Sequence, residues 1–398
     1  LGYVVRIESG SVYLDLGEKA GAQTGQPFTI YTEGYELKHP VTKESLGHLE
    51  TTVAEGALGL VLPLYSVGSI RPGGGEVKAG MRAKLGSRST LPPAAVAPPT
   101  ASADKDGAVS RSPRVKGPTL NYAVTGMSIA DFRGEGKQTL AISDKKTVSL
   151  HAYPMPDTQP LSQFVLQGVG PRIVSLSAAD LNGNGKAELF ATFYNETFTR
   201  METAVLEWSD GQWKRLAVLS WMVRGYQTHG GKPALAMQQL IEDQTFPFSN
   251  IYPVVYSEDR YMHGKDALRF KRVDFLFDFT QANVDGGREP ALLSQTTNNR
   301  VRVQFQDGFW KTPEAYGQTP SRLRWHGRLL EFHPQIPVTV ANGKAAVFLI
   351  KNISALGSLS EPFGLFNDGK IERQEWNGVA LAPAWRADLG GYCAAAQL

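Results

Sequence analysis

The sequence predicts an all-β protein, with a small N-terminal β-barrel joined by a Pro/Ala-rich linker to a β-propeller of roughly five to seven blades. Three observations predict this architecture. A motif of glycine, a basic residue, two further residues and an apolar run occurs five times. The 398 residues include 41 glycines and 24 prolines, and long helical periodicities are few. Short strands separated by such turn residues are typical of all-β folds.

The five copies of this motif set the repeat length of the second domain, predicted over residues 119–398. They start at Gly136, Gly185, Gly231, Gly287 and Gly343. Their glycines are 49, 46, 56 and 56 residues apart by subtraction. Strand-built repeats of roughly 40 to 50 residues are typical of propeller blades.

A second pattern places a large aromatic residue beside a tight Asp-Gly or Asn-Gly turn. It predicts an outer hairpin whose ring packs between neighbouring blades. The aromatic residues of this pattern are Trp208, Trp213, Phe305, Trp310 and Trp376.

Residues 1–86 predict a small closed barrel of six or seven short strands. Gly2–Glu8 and residues 11–16 flank Ser9-Gly10, which is typical of a β-hairpin. Further strands are expected near Phe28, from residue 45 to 54 and from residue 58 to 62, with a tight connection at 39–43. Closure suits many short strands because it removes their exposed edges. Residues 87–118 are rich in Pro, Ala and Ser and are predicted to form a semi-extended linker.

The line YLDLGEKAGAQTGQPFTIY, followed by GYELKHPVTKESLG, resembles the C-terminal β-barrel domain of flagellar assembly protein T, a periplasmic component. The resemblance covers roughly residues 1–85 and rests on turns and strand residues. It implies a barrel fold and an exported protein, periplasmic or on the outer surface of a Gram-negative bacterium, and it implies no catalytic residue.

The most specific local pattern is the loop 180–188, which a strand-forming run follows. Oxygen-bearing side chains stand at its positions 1, 3, 5 and 9, with glycines among them. Such spacing turns alternate residues inward, and Ca²⁺ prefers oxygen ligands. The predicted metal ligands are Asp180, Asn182, Asn184, Lys186 (through its backbone carbonyl) and Glu188. The alternative is that the Asp and Asn side chains cap their own turn.

Together, the repeat and this loop resemble the FG-GAP or VCBS-type repeats of integrin-like β-propellers, whose loop follows Asp-x-Asn/Asp-x-Asp-Gly-x-x-Asp. At about 52 residues per repeat, the roughly 280 residues of this domain hold five blades and a fraction. The tail from Leu389 to Leu398 is similar to the opening strand of a further repeat. Either the chain stops within a blade, or this tail pairs back into the ring.

The other copies depart from the family loop. The first and fourth retain Asp131, Glu135, Asn283, Asp285 and Glu289. Arg133 and Thr139 replace two ligands of the first copy, and Gln281 replaces the leading Asp of the fourth. Arg133 would repel a cation and Gln281 removes a charge, so calcium is expected less at these two loops. The third and fifth copies keep only the glycine-basic strand.

The bulk composition excludes several classes. A net charge of +3 gives no reason to expect nucleic acid or an anionic membrane as partner. No apolar run approaches the roughly 18 residues of a membrane helix. Cys393 is the single cysteine and cannot form an internal disulfide. The sequence opens at Leu1, which indicates removal of an upstream segment such as a signal peptide, or the start of a fragment.

The sequence contains no recognisable catalytic motif. Neither a Gly-x-Ser-x-Gly elbow nor a phosphate-binding Gly-x-x-x-x-Gly-Lys-Ser/Thr occurs. The seven histidines show no metal-ligand spacing, and no cysteine pair accompanies them, so zinc is not expected. Arg322, Arg324 and Arg328 alternate with apolar residues, which predicts a cationic strand face, either solvated or binding an anionic glycan or partner, with Trp325 on the core side. The aromatic residues between 252 and 279 are expected to be mostly blade core.

The predicted function is therefore non-enzymatic binding or scaffolding in the cell envelope, with propeller loops contacting an envelope or extracellular protein or glycan. Calcium is the one cofactor that the sequence suggests. The competing hypothesis is a propeller enzyme acting on polysaccharide, which needs carboxylate, His and Tyr side chains converging at the channel mouth. A channel lined by small apolar residues would count against it. A third hypothesis is a barrel that assembles into a ring.

Overall fold

The protein is represented by a computed structural model that divides into two compact units. One comprises residues 1–100 with 353–367, and the other residues 101–352 with 368–398. The residues described are 2–8, 11–23, 26–38, 45–70, 77–86, 109–110, 115–168, 170–228, 232–241, 247–286, 290–341, 344–354 and 364–397. Their regular elements are strands, apart from two short 3-10 turns at Glu18–Ala20 and Leu276–Asp278. The predicted all-β class is confirmed. Within these residues no helix has the length and apolar character to cross a membrane.

Six strands of the first unit close into the predicted barrel, in the neighbour order β1-β2-β5-β4-β3-β6. The strands are β1 (Gly2–Glu8), β2 (Ser11–Leu14), β3 (Pro27–Lys38), β4 (Ser45–Val61), β5 (Ser66–Ile70) and β6 (Arg82–Leu85). Alternate side chains such as Val12, Leu14, Phe28 and Ile30 point inward and form the core. The two strands predicted at 45–54 and 58–62 are one strand of 17 residues. The connection predicted at 39–43 lies outside the described residues.

The second unit is a propeller-like ring of five blades, which settles the predicted range. Each of the first four blades is a four-stranded antiparallel sheet whose strands follow one another in sequence. Blade 1 comprises β8 (Gly126–Ala130), β9 (Thr139–Ser143), β10 (Thr147–Ala152) and β11 (Ser162–Val165). Blade 2 comprises β12 (Arg172–Ala179), β13 (Glu188–Asn195), β14 (Arg200–Ser209) and β15 (Gln212–Leu219). Blade 3 comprises β16 (Met222–Gln227), β17 (Pro233–Gln238), β18 (Tyr252–Ser257) and β19 (Arg260–His263). Blade 4 comprises β20 (Phe279–Ala282), β21 (Ala291–Gln295), β22 (Val301–Gln304) and β23 (Phe309–Lys311).

Blade 5 has a fifth strand and follows an inserted hairpin. The hairpin pairs β24 (Arg322–Trp325) with β25 (Arg328–Glu331). Blade 5 comprises β26 (Val338–Ala341), β27 (Lys344–Ile353), β28 (Asp368–Trp376) and β29 (Leu381–Asp388). The strand β7 (Val109–Ser110) pairs with β29 in parallel. Two residues of the segment predicted as linker, 87–118, therefore belong to a blade, while 87–108 and 111–114 lie outside the described residues.

Each glycine-basic motif lies where the second strand of a blade begins. The strands β9, β13, β17, β21 and β27 all start within four residues of a motif glycine. Gly136 and Gly185 have φ values of 70° and 86°, a left-handed conformation that favours glycine. The other three motif glycines lie outside the described residues. The repeat thus marks the turn from the first to the second strand of each blade.

The outer aromatic residues pack between blades, as predicted. Trp213 meets Phe132 of blade 1 edge-on, with ring centroids 5.4 Å apart, and meets Trp208 at 5.9 Å. Between blades 4 and 5, Trp376 lies 4.9 Å from Phe305 and 6.0 Å from Trp310, again between ring centroids. Edge-to-face aromatic pairs of this kind add stability beyond the area that they bury.

The C-terminal tail returns to the first blade. The Gln397 side-chain amide donates to the Ile129 carbonyl, and the Gln397 side-chain oxygen accepts from the Ile129 N–H, both at 2.8 Å. Asn352 of β27 holds the tail in the same reciprocal way, through the Cys393 carbonyl (2.9 Å) and N–H (2.8 Å). Blade 5 is complete without these residues. Of the two alternatives expected for the tail, the structure shows the return to the ring.

Candidate functional site

The loop 180–188 is closed by its own backbone. Asp180 accepts the Gly183 N–H on one carboxylate oxygen at 2.8 Å and the Gly185 N–H on the other at 2.9 Å. The side-chain oxygens of Asn182 and Asn184 each accept the N–H two residues further on, at 3.0 and 2.9 Å. These are Asx turns, in which the side chain satisfies the backbone of a tight loop.

Glu188, at the last predicted ligand position, is 0% exposed. Its carboxylate accepts the Leu181 N–H at 2.8 Å, the Asn182 N–H at 3.2 Å and the Tyr261 hydroxyl at 2.7 Å. Buried charge is tolerated where several donors replace its lost hydration. Since Tyr261 belongs to β19, this carboxylate connects the loop of blade 2 to the outer strand of blade 3.

The same loop is tied to its own blade on the other side. The side-chain amides of Asn182 and Asn184 both donate to one carboxylate oxygen of Glu207, at 3.0 and 2.6 Å. The Lys186 ammonium donates to the Trp208 carbonyl at 3.3 Å. The structure therefore brings all five predicted residues into one loop, which β14 supports.

A calcium ion would have to share its ligands here, since all four carboxylate oxygens of Asp180 and Glu188 already accept protein donors. Across the described ranges, no group of three or more His, Cys, Asp or Glu side chains could hold a metal. The geometry fits the turn-capping alternative, and calcium at this loop stays a prediction.

The loop of blade 1 supports the capping interpretation. Asp131 accepts the N–H groups of Gly134, Glu135 and Gly136 at 2.8, 3.1 and 2.7 Å. Arg133, at a ligand position, instead forms an ion pair with Glu135 at 2.7 Å. The same Asp cap forms in a loop that has Arg133 at a ligand position, so this loop shape does not require a bound metal ion.

Successive loops are also joined through the backbone. The Ala187 N–H donates to the Asp131 carbonyl at 2.9 Å, and the Ala345 N–H donates to the Asn283 carbonyl at 3.0 Å. Blade 3 has Pro233 at the equivalent position, which has no N–H to offer. There, the Glu188–Tyr261 contact joins the blades. Glu289, the last oxygen-bearing residue of the fourth copy, lies outside the described residues.

Replacing Asp180 with alanine separates the two interpretations, with Asp131→Ala as the matched control. Both variants lose a capping carboxylate, so each is expected to lower the free energy of unfolding by about 1 to 2 kcal/mol, with or without millimolar calcium. Thermal unfolding of the parent and both variants measures this. A calcium-dependent rise in melting temperature that only Asp180→Ala abolishes would instead establish a metal site.

A cavity of about 530 Å³ lies among the first strands of blades 1 to 3, the segment 332–337 and the tail 394–397. Part of its wall consists of small residues such as Gly126, Ser128 and Ala178. The wall also carries larger groups, namely Arg224, Tyr226, Phe277, Phe332 and His333. The cavity is thus lined both by small residues and by a cluster of polar and aromatic side chains.

His333 and Arg224 differ in how fully protein groups satisfy them. His333 is 8% exposed, and its Nδ1 lies 2.8 Å from an Asp278 carboxylate oxygen while its Nε2 lies 3.2 Å from the Asn299 side-chain oxygen. Arg224 is 4% exposed and donates to the Leu276 carbonyl at 3.2 Å. Burial lowers the pKa of Arg224 to about 10, and the charge of Asp278 opposes that shift.

Two buried tyrosines each donate a hydrogen bond to a glutamate of a neighbouring blade. Besides Tyr261, Tyr316 donates its hydroxyl to Glu372 at 2.8 Å, and Gln374 donates to the Tyr316 oxygen at 3.0 Å. Burial, together with the adjacent carboxylates, raises the pKa of both tyrosines well above the usual value. The neutral phenol is therefore the form that the folded state favours.

These raised pKa values predict that stability falls above about pH 10. Unfolded tyrosines ionise near pH 10, whereas the folded state keeps the proton, so the stabilisation is complete below that pH and is lost as the pH rises above it. Urea unfolding at pH 9 and pH 11 is expected to show a smaller loss in the double variant Tyr261→Phe/Tyr316→Phe than in the parent. Tyr153→Phe, at an exposed tyrosine, should behave as the parent, and equal losses in all three proteins would contradict the prediction.

A second concavity, of about 550 Å³, lies beside the loop 180–188 on blades 2 and 3. We call it the loop groove. It is lined by Asn182, Glu207, Leu216, Tyr256, Asp259 and Arg260, among others. Asp259, Arg260 and Leu216 are exposed, so the groove offers both charges, an aromatic ring and apolar surface to solvent.

The structure also describes the arginine-rich strand and the aromatic residues that the sequence analysis singled out. In β24, Leu323 and Trp325 are buried and Arg324 is exposed, while Arg322 forms an ion pair with Glu331 at 2.5 Å. Phe275, Phe277 and Phe279 are blade core, as expected. Sequence reasoning missed Arg224 and its cavity. The available signal was an arginine within the otherwise uncharged strand Met222–Gln227.

No family model matches this chain, and no curated protein matches it. Similar solved structures include the exotype rhamnogalacturonan lyase YesX, at 11% identity over 97% of this chain and 82% of that chain, with a TM-score of 0.32. Rhamnogalacturonan lyase YesW is 12% identical over 99% and 69% of the two chains, with a TM-score of 0.31. Bacillus licheniformis rhamnogalacturonan lyase PL11 is 10% identical over 100% and 90%, with a TM-score of 0.34. Likeness at this level carries no inference about substrate or reaction, and the FG-GAP and flagellar resemblances stay predictions.

Proposed function

We propose that this chain is a non-enzymatic binding or scaffolding protein of the bacterial cell envelope, whose propeller loops contact a protein or glycan. One observation carries the proposal: the histidine and the carboxylate that line the cavity are already engaged in the fold. Both ring nitrogens of His333 and both carboxylate oxygens of Asp180 have protein partners. A general acid or base must instead reach a substrate proton.

The loop groove supplies the surface that such binding needs. It is open, carries Asp259 and Arg260 as exposed charges, and contains the half-buried ring of Tyr256. An amphipathic ring beside fixed charges suits recognition of a glycan or of a protein surface. The cap of loop 180–188 and the Glu207 contacts hold this groove in shape.

The envelope location rests on the resemblance of residues 1–85 to a periplasmic barrel module. Fractionation of the source bacterium, followed with an antibody to this chain, tests it. Recovery in the periplasmic or outer-surface fraction is expected, and recovery in the cytoplasm would contradict the proposal.

Binding and turnover are separated in one experiment with neutral and acidic polysaccharides. Affinity electrophoresis reports binding, while reducing ends and the ultraviolet absorbance of unsaturated products report cleavage. We expect retardation without products, and weaker retardation for Tyr256→Ala/Arg260→Ala. Product release that disappears in His333→Gln would overturn the proposal in favour of a polysaccharide-acting enzyme.

A further inference from the structure

Arg224 is a buried cation with few protein contacts. It is 4% exposed and lies in β16, where its neighbours Met222, Val223 and Tyr226 are buried too. A guanidinium has five N–H donors, and removing it from water is costly unless those donors are satisfied. The Leu276 carbonyl, at 3.2 Å, takes one of them. The Phe277 ring, with its centroid 5.2 Å from the guanidinium carbon, adds a weaker cation–π contact.

Charge compensation at Arg224 is incomplete. Asp278 lies near enough to influence the guanidinium, but its carboxylate contacts His333. Within the part of the chain that the structure describes, Arg224 forms no ion pair. Buried charges in proteins are normally paired. The partner of this cation is therefore to be sought in the space beside it.

That space is the central cavity, which Arg224 lines. Its volume of about 530 Å³ falls within the range of small-molecule sites, roughly 300 to 1,000 Å³. Tyr226, Phe277 and Phe332 contribute aromatic surface to it, and small residues of β8 and β12 line it as well. The wall thus combines polar and apolar groups, and convergent polar groups are what orient a ligand in small-molecule pockets.

We propose that the central cavity binds a small molecule carrying one carboxylate, with Arg224 as its counter-ion. The planar fork of a guanidinium matches a carboxylate through two parallel hydrogen bonds. One cation, already partly balanced by Asp278, suits a single negative charge better than a doubly charged phosphate. This site is distinct from the loop groove, so the proposal does not depend on whether a partner binds at the groove.

The test compares carboxylates with neutral analogues of the same shape. Thermal unfolding of the full chain is followed with acetate and acetamide, benzoate and benzamide, glucuronate and glucose, and inorganic phosphate. At least one carboxylate is expected to raise the melting temperature while its neutral partner does not, because a ligand that binds only the folded state stabilises it. No selective rise with any carboxylate, or a larger rise with phosphate, would overturn the proposal.

Arginine variants locate the site. Arg224→Met removes every donor at similar length and should abolish the carboxylate-dependent rise, whereas Arg224→Lys keeps the charge and should retain part of it. Arg324→Met, at an exposed arginine, is the matched control and should respond as the parent. If Arg224 has a structural role only, Arg224→Met unfolds at lower temperature but keeps the carboxylate-dependent rise, and the proposal fails.

A second variant keeps the test decisive if the Arg224 variants do not fold. Gly225 lines the same cavity, and an added Cβ there meets no atom closer than 3.6 Å. Gly225→Ala adds only this Cβ, so the surroundings accommodate it while it narrows the cavity. It should remove the carboxylate-dependent rise, and a rise equal to that of the parent would contradict the proposed site.

Discussion

Replacing Glu188 with alanine is expected to lower the free energy of unfolding of the propeller by about 3 to 5 kcal/mol. The carboxylate is fully buried and accepts two backbone N–H groups and the Tyr261 hydroxyl. Its removal leaves the buried Tyr261 hydroxyl and two partly buried backbone N–H groups without their acceptor. The expected loss is among the largest that one side chain of this chain can cause.

Tryptophan fluorescence during urea unfolding measures this loss selectively, because all seven tryptophans lie between Trp208 and Trp385, in the propeller unit. Glu188→Gln keeps the shape and one acceptor oxygen, so its loss should be roughly half as large. Glu207→Ala, at the half-buried carboxylate on the other side of the loop, should cost about 1 kcal/mol. A loss for Glu188→Ala no larger than that for Glu207→Ala would show that the buried contacts are unimportant.

The second large effect is expected for Trp213→Ala, at about 3 to 5 kcal/mol. Trp213 is 6% exposed and packs against Phe132 of blade 1 and Trp208 of blade 2. Its removal leaves a cavity between two blades whose backbones are fixed by their sheets, so the site cannot collapse to fill it.

Val218→Ala is the matched control for this prediction, since it lies in the same strand and is 46% exposed. It should change the free energy of unfolding by no more than about 0.5 kcal/mol. Circular dichroism should accompany fluorescence, because Trp213→Ala also removes a reporter. Similar losses for the two variants would mean that Trp213 does not hold blades 1 and 2 together.

Local patterns explain why so much of the fold could be predicted from the sequence. The glycine-basic motif marks a turn that needs left-handed backbone at Gly136 and Gly185, so it recurs wherever a blade begins its second strand. The aromatic residues beside Asp-Gly and Asn-Gly turns were also predicted correctly to lie between blades, because a large ring next to a tight turn is again a local pattern. The structure differs from the prediction at β4, which continues through Leu58 as one strand instead of two. A shift in its register with β5 accommodates the irregular pairing at this point.

The candidate site was less predictable because its contacts join distant residues. Glu188 was expected as a metal ligand from its position in the loop, but its hydroxyl partner, Tyr261, lies 73 residues away in another blade. The cavity around Arg224 is assembled from three blades, the segment 332–337 and the tail. No spacing along the chain encodes that assembly, and one arginine in an uncharged strand is its only trace in the sequence.

A double-mutant cycle between Glu188→Ala and Tyr261→Phe, with and without calcium, tests most directly whether the Glu188–Tyr261 contact holds blades 2 and 3 together. Groups in direct hydrogen-bond contact should be coupled, by about 1 to 2 kcal/mol here. We predict the same coupling in both conditions, since the contact joins two protein groups. Coupling near zero in both conditions would contradict this account, and coupling that appears only with calcium would make the loop 180–188 a metal site.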